Sequence, residues 1–80
     1  MIRYKLGELL EKKKFQDGRR ISIQEVAAAT GINRTTLSKL LNHRGYVTGT
    51  DILDKLCIYF GCALDEIAEY VEEGNPAPPI

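Results

Sequence analysis

The 80-residue chain has no tryptophan, a single histidine and two cysteines, and each scarcity removes a class of chemistry. His43 stands alone, and one histidine with two cysteines offers little to a nucleophile–base relay. Cys57 and Cys62 lie five positions apart, a spacing that fits neither the C-x2-C half of a zinc site nor a thioredoxin-type motif. Both are read as reduced, half-buried thiols; no cofactor and no metal is expected. A carboxylate pair set for acid–base work and a glycine-rich phosphate loop are also missing, so the chain is not expected to be an enzyme. Long apolar runs are absent as well. No stretch approaches the roughly 18 residues of a membrane span, and the start of the chain lacks the charged-then-apolar pattern of a signal peptide. A cytoplasmic protein without membrane contact is the expectation.

What the chain does contain points to a binding module. Its 80 residues suffice for one domain with a modest core and are too few for a separate substrate domain. A hydrophobic share of 44% and a charged share of 28% lie in the globular range, so the chain should fold without a partner. Its charges cancel overall but not locally. Residues 1–46 carry ten basic and four acidic side chains, whereas residues 47–80 carry Lys55 against seven acids. That division implies a cationic face that meets an anionic polymer and an acidic end held away from it.

Apolar periodicity reads as five helices and no strand. Ile2, Leu6, Leu9 and Leu10 recur at helical spacing, and the first helix is expected to run to about Phe15, with Asp17-Gly18 as its stop. A link from Lys12 to Ile21 carries Lys12, Lys13, Lys14, Arg19 and Arg20. Ser22-Ile23-Gln24-Glu25 is an S-x-x-E capping box, flanked by Ile21 and Val26 at the positions of a hydrophobic staple. The second helix then closes at Gly31, a residue able to take the left-handed conformation. Asn33 caps a third helix, Arg34 to about Asn42. At about 100° per residue, Leu37, Leu40 and Leu41 fall on one side, and Arg34, Thr35, Ser38, Lys39 and Asn42 on the other. Thr50 or Asp51 starts a fourth helix with an apolar stripe of Ile52, Leu53, Leu56, Cys57 and Phe60 that ends at Gly61. A fifth helix, from about Ala63 to Val71, is expected to turn Leu64, Ile67, Ala68 and Val71 inward. The domain is assigned to residues 1–72; residues 73–80, with Pro76, Pro78 and Pro79, are read as an extended or disordered tail.

Two short helices joined by a tight glycine turn, the second with one apolar and one polar face, form a helix-turn-helix. The run Ser22-Ile23-Gln24-Glu25-Val26-Ala27-Ala28-Ala29-Thr30-Gly31-Ile32-Asn33-Arg34-Thr35-Thr36-Leu37-Ser38-Lys39-Leu40-Leu41-Asn42 resembles the core of the Cro/repressor-type (XRE) family. Ala27 is small enough for the helices to approach closely, and Ile32 and Leu37 fill the space between them. The likeness continues through Thr50 to Cys57 and Phe60-Gly61-Cys62 as far as Tyr70, which is similar to the compact five-helix subset. It implies an all-α, lambda-repressor-like domain that binds double-stranded DNA as a transcriptional regulator, in the first instance a repressor.

The resemblance further implies that the third helix lies in the major groove. Base-reading candidates are then Arg34, Thr35, Ser38 and Lys39: the cations suit guanine O6 and N7, and threonine suits a hydrogen bond or a thymine methyl. Phosphate candidates are Asn33, Thr36, Arg44 and Tyr46, with the N-terminus of the second helix at Ile23 and Gln24. Many family members carry glutamine where Ile23 stands; Ile23 has no amide with which to hold a phosphate, so the backbone N–H groups of Ile23 and Gln24 take that place. A homodimer, at least on DNA, is expected, with the fifth helix around Tyr70 and Val71 as its surface; no small-molecule effector is expected. The rival reading is a protein–protein module such as an antitoxin on the same fold. It would bind a polypeptide through the third helix or the acidic fifth; through the third it would require apolar anchors, where this chain has polar side chains.

Overall fold

Leucines at positions 6, 9 and 10 fall on one side of a helix, and all three are buried. Around that face the computed structural model, which describes residues 1–43 and 45–72, arranges seven elements. They are β1 (Ile2–Tyr4), α1 (Leu6–Asp17), α2 (Ile23–Thr30), α3 (Arg34–Asn42), α4 (Thr50–Phe60), α5 (Leu64–Ile67) and β2 (Ala68–Tyr70). The core joins the α1 leucines to Ile21 and Val26, to Ile32, Leu37 and Leu40, to Leu56 of α4 and to Ile67 of α5. Every helix therefore contributes to a single cluster, and α2 and α3 pack directly on one another.

All five expected helices are present, and a two-stranded antiparallel sheet joins them. The ends of the chain account for the difference. Residues Ile2–Tyr4 were expected as the first turn of a helix but form β1, in register with β2 through Ile2 and Tyr70, Arg3 and Glu69, and Tyr4 and Ala68. The ladder is extended by Lys5 N–H to Ile67 O at 2.7 Å and Val71 N–H to Met1 O at 2.8 Å. On the face between these pairs the Arg3 guanidinium bonds Glu69 at 3.0 Å and also Glu8. Pairing with a segment at the far end of the chain thus overrides the helical spacing of Ile2 and Leu6.

The same pairing shortens the fifth helix to one turn. At Ala68 the backbone is extended (φ −142°, ψ 147°), and Ala68–Tyr70 becomes strand instead of helix. Leu64, expected inside, is 59% exposed, whereas Ile67 is fully buried. At the other end α1 runs two residues past Phe15, so Lys12, Lys13 and Lys14 belong to a helix and the true link is short, Gly18 to Ser22. Gly49, not Thr50 or Asp51, is the N-cap of α4. In the α4 stripe only Leu56 is buried; Ile52, Cys57 and Phe60 are partly buried against the core. The tail assigned to 73–80 lies outside the described residues.

The turn between α2 and α3 is built as the spacing implies. Gly31 takes φ 77° and ψ 8°, and its N–H bonds Ala27 O at 2.9 Å. A Cβ placed there would meet no heavy atom within 4 Å, so any substitution is penalised by backbone conformation alone. Gly31→Ala should destabilise by about 1–2 kcal/mol, the cost of a left-handed L-residue, and the β-branched Gly31→Val by more. Gly31→Asn should recover most of the loss, because asparagine tolerates this region. Urea unfolding of the three variants checks the ranking; identical midpoints for Val and Gly would contradict it.

Candidate nucleic-acid interface

The polar face of α3 is created by how its other face is anchored. Leu37 and Leu40 are buried beneath the helix, with Ile32 just before it. Asn33 lies in extended backbone (φ −60°, ψ 135°), and its Oδ1 accepts from Thr35 N–H at 2.7 Å, so the helix starts at Arg34. The asparagine oxygen is thereby occupied, leaving its NH2 as an outward donor. Arg34, Thr35, Ser38 and Lys39 are all exposed on one side of α3, while Thr36 is half-buried.

The cations of that face are free of ion pairs among the described residues. Among the described residues, carboxylates pair with Arg3, Lys13, Lys14 and Arg19, whereas none lies within bridging distance of Arg34 or Lys39. Nor does either cation make a side-chain hydrogen bond there. Asn42 differs: its amide donates to Ser38 O at 3.0 Å and is spent on the helix itself. The face offers two unneutralised cations and two hydroxyls in about nine residues of helix, a composition suited to base edges or to an acidic surface.

The N-terminus of α2 lies at the other side of the Gly31 turn. Ser22 Oγ accepts from Glu25 N–H at 3.1 Å, and Val26 N–H reaches Ser22 O at 3.2 Å. Neither bond uses the N–H groups of Ile23 and Gln24, the first two of the helix, which are open to an anion. The Ile23 side chain packs partly against the core, and Gln24 is exposed.

The second half of the capping box is not formed. Glu25 does not return to the Ser22 backbone, because Arg19 holds its two oxygens at 2.9 and 2.7 Å and also donates to Arg20 O at 3.2 Å. This fork-to-fork bond holds the Glu25 carboxyl below the usual glutamate range and raises the Arg19 guanidinium further. No helical period links positions 19 and 25 across a turn, so the pair has no signature in the sequence.

Past α3, Tyr46 is half-buried, its N–H bonds His43 O at 3.2 Å, and its ring lies 5.7 Å from Lys39 Nζ. A base-reading candidate and a phosphate candidate are thus neighbours. Arg44, the remaining candidate, lies outside the described residues. The cysteines are free and half-buried. Burial, and then the neighbouring Cys57, push the Cys62 thiol up, keeping it protonated at neutral pH. No group of three metal-ligating side chains is gathered among the described residues. None of the helices there is long and apolar enough to cross a membrane.

A family model described as Cro/C1-type HTH DNA-binding domain matches residues 5–73, which contain α1 to β2 entire. No curated protein matches the chain.

The Arg19–Glu25 pair makes a pH prediction. Since Glu25 is lowered in the fold, its contribution is complete above the ordinary glutamate value of about 4.3 and is lost as pH falls through the lower folded value. Glu25→Gln should therefore melt below wild type at neutral pH and converge with it in acid. Melting curves from pH 7 down to about 2.5 check this; a gap that stayed constant would exclude it.

Proposed function

We propose that this chain, which belongs to the Cro/C1-type helix-turn-helix family of DNA-binding domains, reads a specific double-stranded DNA sequence through α3 in the major groove and regulates transcription, in the first instance as a repressor. The observation that carries this reading is the exposed Arg34, Thr35, Ser38 and Lys39 face, its two cations without a carboxylate partner among the described residues, on a helix whose opposite face is locked in the core. Arg34 and Lys39 are assigned to guanine edges, Thr35 and Ser38 to hydrogen bonds beside them. Phosphates are assigned to the Asn33 amide, the Thr36 and Tyr46 hydroxyls and the N–H groups of Ile23 and Gln24. Arg44 keeps its assignment on charge and chain position. No reaction and no small-molecule effector enters the proposal, and the protein is proposed to act in the cytoplasm.

The protein-binding alternative, an antitoxin among others, is disfavoured in the form that docks through α3. Its exposed side chains include no aromatic or aliphatic anchor of the kind that dominates protein interfaces. Among the described residues the large apolar side chains that are exposed lie elsewhere, at Ile2, Phe15, Val47, Ile58, Leu64 and Tyr70.

A nine-residue helix is about 13 Å long and spans only a few base pairs, so two copies are proposed to act together on half-sites about 34–36 Å apart. Titration of a specific duplex should saturate at two protomers per site; saturation at one would exclude the dimer. The two kinds of contact should also separate. Arg34→Ala is expected to remove roughly 1–3 kcal/mol of discrimination at one base pair of each half-site. Arg44→Ala should weaken binding to every duplex alike and flatten the log K against log salt slope by about 0.9 per phosphate contact, or about 1.8 for a dimer. Fluorescence anisotropy on specific and scrambled duplexes at several salt concentrations measures both. Arg34→Ala with wild-type binding to every duplex would transfer the function to the protein-binding reading.

A further inference from the structure

Lysine is a poor reader of bases unless something holds it, because its ammonium swings on four rotatable carbons and three donors can point anywhere. In this protein something does. After α3 ends at Asn42, His43 is extended (φ −99°, ψ 102°), and the bond from Tyr46 N–H to His43 O at 3.2 Å turns the chain back toward the helix. Gly45 in that turn has φ 75°. The Tyr46 ring returns to the end of α3 with two supports: it is packed partly against the core, and the His43 ring meets it edge-on at 5.9 Å and 73°. Lys39 Nζ lies 5.7 Å from the centroid of this ring, within the reach of a cation–π attraction. Among the described residues no carboxylate competes for the ammonium.

We propose that Tyr46 is a positioning residue for sequence recognition: its ring fixes the Lys39 ammonium beside α3, so that the base preference contributed by Lys39 depends on an aromatic side chain seven positions away. The inference rests on the assignment of α3 as the reading helix and adds to it a residue that acts through Lys39. The Tyr46 hydroxyl and ring then have separable duties. The hydroxyl is assigned to a phosphate and carries no sequence information; the ring carries information indirectly, by narrowing where Lys39 can be. His43 supports the ring and need not touch DNA.

The test uses the full chain and a duplex enriched by the wild-type protein from a random pool. Lys39→Ala identifies the base pair at which preference relaxes, and single-base-pair variants at that position then serve as probes. Tyr46→Leu, which keeps apolar bulk but removes the ring, should lose roughly two- to fivefold of the preference there, the range an exposed cation–π contact supplies. It should lose nothing further in the Lys39→Ala background. Tyr46→Phe should keep the preference while binding all duplexes more weakly, for want of the hydroxyl. A direct readout needs no DNA: the ring current of Tyr46 should shift the Lys39 ε-methylene protons upfield in wild type and in Tyr46→Phe, and not in Tyr46→Leu. Unshifted methylene protons in wild type would overturn the proposal, as would a Tyr46→Leu loss equal on every duplex. If Lys39→Ala and Arg34→Ala both left every preference intact, the reading assigned to α3 would fall first; a Lys39→Ala effect that Tyr46→Leu did not share would remove only the role of Tyr46.

Discussion

Complete burial of Leu37, beside an equally buried Val26 from the preceding helix, is the constraint on which the rest of the site depends. A helix can rotate about its own axis, and each residue of slip turns its surface by about 100°. Leu37 and the nearly buried Leu40 remove that freedom, because turning them toward water would forfeit roughly 1.5–3 kcal/mol apiece. Capping bonds of the Asn33 kind contribute about 1 kcal/mol each and set where the helix starts, not which way it faces. The direction in which Arg34, Thr35, Ser38 and Lys39 look is thus set by side chains buried on the opposite side of the helix.

Electrostatics then sharpens what the core has aimed. All four acids of residues 1–46 are engaged: Glu8 with Arg3, Glu11 with Lys14, Asp17 with Lys13 and Glu25 with Arg19. Exposed pairs of this kind add little stability. Their larger effect is on the placement of net charge, since they offset Arg3, Lys13, Lys14 and Arg19 and, among the described residues, leave the α3 cations unpaired together with Lys5, Lys12 and Arg20. An anionic polymer approaching the basic half would meet the cations left unpaired, those of the reading face among them, and not ten equal charges.

The parts of this fold legible in the sequence are those with local causes. Ser22, Gly31 and Asn33 act on backbone groups within a few residues, and each has the predicted role. The leucine face of α3 follows from period alone, and the description of the matching family agrees with the resemblance. What was illegible is non-local. Ile2 and Leu6 have helical spacing, but Ile2 pairs with Tyr70, and nothing near either residue announces the partner. Three-residue strands are too short for alternation to register, so periodicity alone merges β1 and β2 into the neighbouring helices. The Arg19–Glu25 and Lys39–Tyr46 contacts were hidden for the same reason: each crosses a turn whose geometry decides the meeting.

Ile23 shows how a departure from the family pattern can be absorbed. Its side chain contributes to the core margin, so on the proposed reading the outward bridge that the family resemblance implies at this position must be replaced. Two features of the α2 start are suited to the task. The N–H groups of Ile23 and Gln24 remain unbonded because Ser22 serves Glu25 and Val26 instead. The Arg19–Glu25 fork also braces the short Gly18 to Ser22 link against the first turn of α2, and among the described residues the adjacent Arg20 has no carboxylate partner. A backbone donor cannot swing away as an amide side chain can, and it costs no rotamer entropy to use. Phosphate holding at this end would thereby shift from a mobile side chain to a fixed helix terminus, and base selection would rest more heavily on α3 and on whatever holds its cations still.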